Sequence, residues 1–368
     1  MKPKVLLVCC DGLEKGGIQA VIMSIVKNLN DDYDFDIISF SDGKQFYTDE
    51  FLKYGGNIYH FKKYDAKNPI GKLFLGFFEY LHLYKQIKDF LAKHNDYACI
   101  HCHNYFNAAP FLKAAARHNI KIRIAHSHNV KSIIKYKNPF HNIFDKIKQK
   151  QLVKYATNKI ACSKGAGEYL FGKNSLVEVV NNAIDLQKFD PHKFNNKNES
   201  DCIKFVHIGR YGYQKNQLFL LDVFNELIKD IENASLTLVG FGLWTDKVKN
   251  RIDELKLTDK VAMLPSDTDI PLILSQSDAM IFPSTFEGLG ISLIEAQAMG
   301  LRCYTSEVIQ PEADLGLCKT LELSLGAKKW AEFICDDINK NGLKKQFVDM
   351  SSYDIQNIKE QYRRIYSD

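Results

Sequence analysis

Short apolar or β-branched runs alternate with amphipathic stretches along the whole chain, and the series is played twice. The first series is Val5–Cys9, Phe35–Phe40, Cys99–His101, Ile122–Ala125 and Lys159–Cys162; the second is Lys204–Ile208, Ser235–Val239, Val261–Leu264, Ala279–Phe282 and Arg302–Thr305. Strands separated by helices cannot close as hairpins. They need crossover connections, so the chain is constrained to βαβ units and mostly parallel sheet, here in two copies. Between the series lies Asp185–Ser200, with Phe189-Asp-Pro-His192 and the polar run Asn195-Asn-Lys-Asn-Glu-Ser200. That composition neither continues a helix nor buries itself, and it marks the expected interdomain linker. The amphipathic segment Tyr353–Tyr366 reads as a terminal helix. The expected organisation is therefore 1–186, 187–352 and a closing helix, 353–368, which suits a chain of 368 residues.

With 45% apolar and 25% charged residues, the disordered, collagen-like and disulfide-knot classes are excluded. Nine cysteines scattered over such a length read as reduced, mostly buried thiols. The opening apolar run Val5–Cys10 is too short for a signal peptide, and no run of 18 apolar residues follows. A cytoplasmic protein without a membrane span is expected. Charge is uneven: residues 1–190 hold 28 Lys+Arg against 18 Asp+Glu, and residues 191–368 hold 21 against 26. The first half should be drawn to anionic surfaces such as phospholipid, nucleic acid or a phosphorylated substrate.

The first strand ends in Cys10-Asp-Gly-Leu-Glu-Lys-Gly-Gly17, before a helical stripe from Ile18 to Leu29. Glycines at that junction let backbone amides turn toward an anion or a sugar hydroxyl, though a plain strand-to-helix turn would look alike. The G-x-G-x-x-G spacing of a dinucleotide site is absent there, and Gly240-Phe-Gly242 does not complete it either, since position 245 is Thr. Histidines cluster as His101-Cys-His-Asn104 and His126-Ser-His-Asn129, each at a strand's carboxyl end, where open α/β sheets hold ligands. Alternation places His101 and His103 on one face and Cys102 on the other. Zinc is disfavoured, because Cys99 and Cys102 lie within that strand and no second closely spaced Cys/His pair on a loop completes a tetrahedral set.

In Phe205-Val-His-Ile-Gly-Arg-Tyr-Gly-Tyr-Gln-Lys-Asn-Gln217 a strand meets a loop carrying Arg210 and Lys215, and a helix follows at once. Two cations beside a helix N-terminus make a diphosphate clamp, whereas basic residues on an ordinary loop would simply be solvated. The strongest signal is Phe282-Pro-Ser-Thr-Phe-Glu-Gly-Leu-Gly-Ile-Ser-Leu-Ile-Glu295. Glu287 stands at the mouth of a glycine-containing turn and Glu295 deeper on the following helix; Gly288 and Gly290 free the intervening amides for close approach. Asp267-Thr-Asp269 precedes Ile270-Pro-Leu272 and reads as a helix N-cap, not as a metal site.

Taken together these segments resemble family 4 of the retaining glycosyltransferases, which have the GT-B fold. The resemblance rests on Gly16-Gly17, His126-Ser-His-Asn129, Ala161-Cys-Ser-Lys164, Val180–Phe189, Gly209-Arg210 with Lys215, and the Glu-x7-Glu pair Glu287 and Glu295. It covers nearly the whole chain. Arg123–Asn129 and Glu295–Cys303 are most similar to bacterial enzymes that build capsular and exopolysaccharide repeat units. Asn182-Ala-Ile-Asp185 departs from the family's Asn-Gly-Ile-Asp, so no glycine-specific backbone is expected there.

The resemblance implies two Rossmann-like, doubly wound parallel-sheet domains facing across a deep cleft, with the terminal helix packing back on the first. The first domain would bind the acceptor and the second a nucleotide sugar, most often UDP-linked, in a hexosyl transfer that retains anomeric configuration. Arg210 and Lys215 would stabilise the departing diphosphate, helped by amides of Gly16, Gly17, Gly288, Leu289 and Gly290. Glu287 would hold the transferred sugar, Glu295 the ribose, and Pro265 and Ser266 would flank the base. His126 is favoured over His128 as the family's crevice histidine, leaving His103, Asn104, His128 and Asn129 as acceptor-side candidates. No metal or other cofactor is expected. The acceptor is expected to be a polyprenyl-diphosphate-linked saccharide. Lys131–Lys154 holds seven lysines among aromatic and aliphatic residues, as suits peripheral docking on an anionic inner membrane face; core-facing helices with solvated lysines would share that composition. The rival readings are a GT-B epimerase or phosphorylase and a non-catalytic polyanion binder. Both glutamates and the clamp speak against them, and no base-stacking platform marks a nucleic-acid site.

Overall fold

The computed structural model describes residues 2–9, 12–66, 71, 73–130, 139–194 and 201–367. The chain divides into two compact units, Met1–Ala183 with Ile355–Asp368, and Ile184–Asp354.

The N-terminal unit is built on strands β1 (Lys4–Cys9), β2 (Asp34–Ser39), β3 (Ile58–His60), β4 (Tyr97–Cys102), β5 (Ile122–Ser127), β6 (Asn158–Ala161) and β7 (Glu178–Val179), ordered β3-β2-β1-β4-β5-β6-β7. Every pairing is parallel. Helices α1 (Gly17–Leu29), α2 (Thr48–Tyr54), α3 (Leu75–Leu91), α4 (Ala108–Arg117), α5 (Pro139–Tyr155) and α6 (Lys164–Phe171) make the crossovers. Leu6, Val8, Ile100, Cys102 and Ala125 pack one core with Leu83, Ile87, Leu112 and Leu152 from the helices on that face. Because strands buried on both faces need cover on both, the opposite face takes α1 and the terminal helix. Among the described residues no helix is long and apolar enough to cross a membrane.

The C-terminal unit repeats the plan with β8 (Ile203–Ile208), β9 (Ala234–Val239), β10 (Val261–Leu264), β11 (Ala279–Phe282), β12 (Arg302–Ser306) and β13 (Cys318–Leu321), ordered β10-β9-β8-β11-β12-β13 and again all parallel. Its helices are α7 (Gln217–Leu227), α8 (Thr245–Glu254), α9 (Ile270–Ser275), α10 (Ile291–Ala298) and α11 (Gly326–Asn341). Phe205, Leu236, Leu238, Ile281 and Tyr304 pack against Leu221, Phe224, Trp330 and Ile334. Asp269 does cap α9: its side chain accepts the Leu272 N–H at 3.2 Å.

All ten expected strands form; β3, β7 and β13 are additional. The terminal helix, α12, spans Ile355–Ser367 and packs on α1, while Tyr353 belongs to a preceding 3-10 turn, Ser351–Tyr353. Residues 195–200 of the expected linker lie outside the described residues. Its earlier part is more structured than its composition suggests. Phe189 is buried, Asp190 caps a 3-10 turn at Pro191–Lys193, and upstream Ile184 bridges Asp354 in parallel and donates its N–H to the Tyr353 carbonyl.

One buried ion pair ties β12 to α11 in the C-terminal unit. Arg302 Nη1 on β12 lies 2.9 Å from Asp337 Oδ2 on α11, and Asp337 also accepts the Tyr304 hydroxyl at 2.9 Å and the Asn341 amide at 2.8 Å. Burial alone would raise the Asp337 pKa, but these hydrogen bonds and the Arg302 charge hold it below the ordinary carboxylate value. Asp337→Ala should therefore leave a nearly buried guanidinium unpaired and cost about 3 kcal/mol in urea unfolding at neutral pH. Since the folded-state pKa is depressed, this stabilisation is full above about pH 4 and lost as pH falls through the folded value. The gap between variant and wild type should accordingly narrow in acid; an equal gap at pH 3 and pH 7 would contradict the assignment.

Candidate active site

In a doubly wound sheet the two strands flanking the reversal of order send their crossovers to opposite faces, which opens a crevice at their carboxyl ends. In the C-terminal unit those strands are β8 and β11, and the loops leaving them carry Arg210 with Lys215 and Glu287 respectively. The loops are stitched together. Thr285 N–H donates to the Gln214 carbonyl at 2.8 Å, and the Asn216 amide donates to the Pro283 carbonyl at 3.2 Å, which it reaches from a left-handed backbone position (φ 56°) capping α7.

Lys215 and Glu287 meet inside this seam. The ammonium is 2.8 Å from Glu287 Oε1 and 4.3 Å above the centre of the Phe282 ring, with the two side chains 14% and 5% exposed. Glu287 also accepts the Ser284 hydroxyl at 2.7 Å and, on Oε2, the Gln214 amide at 3.4 Å; its carbonyl accepts from Gln310 at 3.3 Å. The alkyl stem of Lys215 lies across Gly209, where an added Cβ would stand 2.9 Å from Cε. Gly240 and Gly242 serve the same loop. A Cβ at Gly240 (φ 145°) would fall 2.3 Å from the Gly209 carbonyl oxygen, and one at Gly242 would fall 2.2 Å from that of Tyr211. The second glycine pair of the sequence is thus a close-packing device beneath the site.

Arg210 is exposed, forms no ion pair among the described residues, and is held by its backbone, whose carbonyl accepts the Gln217 amide at 3.2 Å. Gly288, Leu289 and Gly290 follow Glu287, with Leu289 buried and Gly290 in a left-handed conformation (φ 88°) capping α10. Glu295 is half-buried on α10, whose first turn is tied to β8 by the Ser292 hydroxyl donating to the Ile208 carbonyl at 3.2 Å. Exposed Pro265 and half-buried Ser266 follow β10, two strands from β8 and therefore on the order of 10 Å along the sheet edge.

His207 belongs to this site and was not singled out from the sequence. Fully buried in β8, its Nδ1–H donates to the Ile281 carbonyl at 2.9 Å while Nε2 accepts the Gln217 amide at 3.2 Å. Burial lowers its pKa to about 4, so it is a neutral pin between β8 and β11. The available signal was a polar residue inside the apolar stretch Phe205–Ile208 of the strand.

In the N-terminal unit the corresponding strands are β1 and β4, with β5 beside β4. Gly16 caps α1 in an extended conformation and Gly17 begins the helix; the glycine in a left-handed conformation is Gly12 (φ 74°), whose carbonyl accepts from Gln19 at 3.2 Å. A Cβ there would collide with the Gln45 side chain at 2.4 Å. Cys10 and Asp11 lie outside the described residues. The structure gathers His101 and His103 of the β4 end with His126 and His128 of the β5 end, ring centres 4.1 Å apart in the first pair and 4.0 Å in the second. Cys102 points into the opposite core, as alternation requires.

His103 Nδ1 is 2.8 Å from His128 Nε2, and His101 Nε2 is 3.2 Å from His126 Nδ1. Burial drives every one of these rings toward the neutral form, His128 to a pKa of about 3. His103 Nε2, His126 Nε2 and both amide atoms of Asn104 are buried without a partner among the described residues, and Asn129 is half-buried beside them in sequence. His101, His103 and His126 bring ligand nitrogens within 4.8 Å of one another, a group able to hold a metal ion. That group includes no carboxylate or thiolate to offset a dication.

Comparisons with known proteins match both units of the chain. The Glycosyltransferase Family 4 model matches residues 15–188, and the Glycosyl transferases group 1 model matches residues 188–314. The capsular polysaccharide biosynthesis glycosyltransferase CapH of Staphylococcus aureus is 26% identical over 96% of both chains. An Escherichia coli UDP-Gal:alpha-D-GlcNAc-diphosphoundecaprenol alpha-1,3-galactosyltransferase is 32% identical over 36% of this chain and 37% of its own. Among solved structures, Anabaena HepE in complex with UDP and glucose superposes with a TM-score of 0.78 at 16% identity, covering 100% of both chains, a likeness of fold. With one family model on each sheet and the Glu287–Glu295 segment inside the second, the chain belongs to glycosyltransferase family 4: it is a GT-B-fold enzyme that transfers a sugar from a nucleotide-sugar donor.

Proposed function

We propose that this enzyme transfers a hexose from a UDP-sugar, with retention of configuration, to a polyprenyl-diphosphate-linked saccharide in capsular or exopolysaccharide synthesis. The observation that carries the reading is the buried Lys215–Glu287 pair at the strand-order reversal of the C-terminal sheet. UDP in the HepE complex and the diphosphoundecaprenol acceptor in the name of the Escherichia coli enzyme support the choice of donor and acceptor; CapH supports the polysaccharide context.

As the bond between anomeric carbon and diphosphate oxygen breaks, negative charge grows on the leaving group, and a preorganised cation there stabilises the transition state more than the ground state. Lys215 supplies that charge from a fixed position, and Arg210 adds a bidentate partner from the loop surface. Amides of Gly288, Leu289 and Gly290 at the N-terminal end of α10 extend the anion site, as do those of Gly16 and Gly17. A carboxylate has about four lone-pair positions, and Glu287 spends Oε1 on Lys215 and Ser284, so Oε2 keeps room for a hydroxyl of the transferred sugar. Glu295 holds the ribose, Pro265 and Ser266 flank the base, and His126 meets the sugar, with His103, Asn104, His128 and Asn129 toward the acceptor. No metal enters this reading.

A membrane-bound acceptor suits the exposed apolar residues of two neighbouring helices. Phe77 and Leu81 on α3 and Ile143 and Ile147 on α5 are each more than 40% exposed, beside exposed Lys146, Lys150 and Lys154. Lysines around an apolar strip dock on anionic lipid. Residues 131–138 of the lysine-rich segment lie outside the described residues.

Lys215→Ala and Glu287→Gln should each lower kcat by about 10²-fold or more with UDP-sugar and lipid-linked acceptor, the cost of losing one preorganised charge. Both variants should still fold, with thermal midpoints several degrees below wild type because each leaves a buried partner uncompensated, and the loss of kcat should persist at temperatures where both are fully folded; full activity in either variant would show the site to be misplaced. In cosedimentation, the protein should bind phosphatidylglycerol vesicles in low salt and release in high salt, and Ile143→Asp with Ile147→Asp should weaken binding. Vesicle binding that is absent or indifferent to salt would remove the docking proposal.

A further inference from the structure

The histidine cluster of the N-terminal unit is continued by the terminal helix. His101 Nδ1 lies 2.8 Å from the hydroxyl of Tyr366 on α12, His101 Nε2 lies 3.2 Å from His126 Nδ1, and His126 Nε2 ends the chain without a partner among the described residues. Each link shares one hydrogen, so the direction of any one fixes the others. When the phenol donates to His101 Nδ1, His101 carries its hydrogen on Nε2 and donates to His126 Nδ1. His126 then carries its own hydrogen on Nε2, and that N–H is the single group left unmatched.

The opposite direction is worse by one group. His126 Nδ1–H would donate to His101 Nε2 and His101 Nδ1–H to the phenol oxygen, which strands both the Tyr366 hydrogen and the bare Nε2 of His126. Tyr366 is only 3% exposed and His101 fully buried, so a stranded hydrogen finds no water. A buried polar group without a partner is costly, and the arrangement with one such group prevails over that with two. Burial also keeps the phenol protonated and both rings neutral, the forms this count assumes.

From this geometry we infer that Tyr366 is a positioning residue: through His101 it fixes His126 as a hydrogen-bond donor at Nε2, so that the ligand His126 meets presents an oxygen lone pair. Among the described residues, the rings packed against His126 are those of His101, His103, His128 and Tyr362, all neutral. Neutral surroundings suit an uncharged saccharide hydroxyl oxygen and give a phosphate no countercharge. His126 accordingly orients a sugar and does not abstract a proton. The consequence for catalysis rests on the placement of His126 in the transfer site; the proton arrangement does not.

Long-range 1H–15N correlation spectra of the full chain labelled in histidine test it, with His126 assigned by comparison with His126→Gln. The expected wild-type pattern is a protonated-type Nε2 and an unprotonated-type Nδ1 on His126. Tyr366→Phe keeps the ring and removes the hydroxyl. It should move His126 toward a mixture of tautomers and lower turnover on the order of tenfold at temperatures where the variant is fully folded, with a thermal midpoint lowered by a few degrees because His101 Nδ1 loses its buried partner. Protonation on Nδ1 in wild type, a tautomer indifferent to Tyr366→Phe, or one equivalent of metal bound to the purified protein would overturn the inference. A tautomer that shifts in Tyr366→Phe without any change in turnover would uphold the proton arrangement and instead remove His126 from the transfer site.

Discussion

An ammonium and a carboxylate held 2.8 Å apart, each at least 86% out of water, organise the loops that leave β8 and β11 in the C-terminal unit. Such a pair gains little net stability, because desolvating both charges offsets most of their attraction. What it supplies is placement. Lys215 cannot swing into solvent while Glu287, the Phe282 ring and the bare face of Gly209 confine it, and Glu287 cannot turn while Ser284 and Gln214 hold its oxygens. The backbone stitches between the two loops carry that confinement into β8 and β11. A cation prepared in this way needs no reorganisation when a diphosphate arrives, which is the feature that makes electrostatic catalysis efficient.

The parallel architecture explains why such a pair forms here. Lys215 and Glu287 stand 72 residues apart, yet their strands are neighbours because the strand order reverses between β8 and β11. Glycines with no freedom to be anything larger, Gly240 and Gly242, let the β9–α8 connection press against the loop from behind. The N-terminal unit uses the same reversal, between β1 and β4, to present buried neutral imidazoles where its counterpart presents charge. One fold plan therefore yields two chemically different ends.

Most of the sheet was legible because a strand buried on both faces has to be apolar, and each such run stands between helical stripes. The strands that escaped notice lie at or toward sheet edges, where that demand relaxes: Ile58-Tyr-His60, the two-residue Glu178–Val179, and Cys318-Lys-Thr-Leu321 with exposed Lys319 and Thr320. Arg210, Lys215 and Glu287 were visible as residue types in loops, since a loop cation or carboxylate is conspicuous beside a glycine. The pairing of Lys215 with Glu287 was not, because contact across 72 positions depends on register. The same limit applies more strongly to Tyr366 and His101, which are 265 positions apart and meet only because α12 covers the sheet. Gly12 was hidden for another reason: a left-handed backbone leaves no mark when three glycines share one loop, and Gly16 and Gly17 looked equally eligible.

On donor binding, we propose, the Lys215 ammonium passes from the Glu287 carboxylate alone to a contact shared with a nucleotide diphosphate. A crystal structure of the enzyme soaked with UDP measures this directly. Phosphoryl oxygens are expected within hydrogen-bond reach of Lys215 Nζ and the Arg210 guanidinium, with Glu287 still on Lys215. UDP seated elsewhere on the C-terminal unit, with Lys215 and Glu287 left as a closed pair, would contradict it.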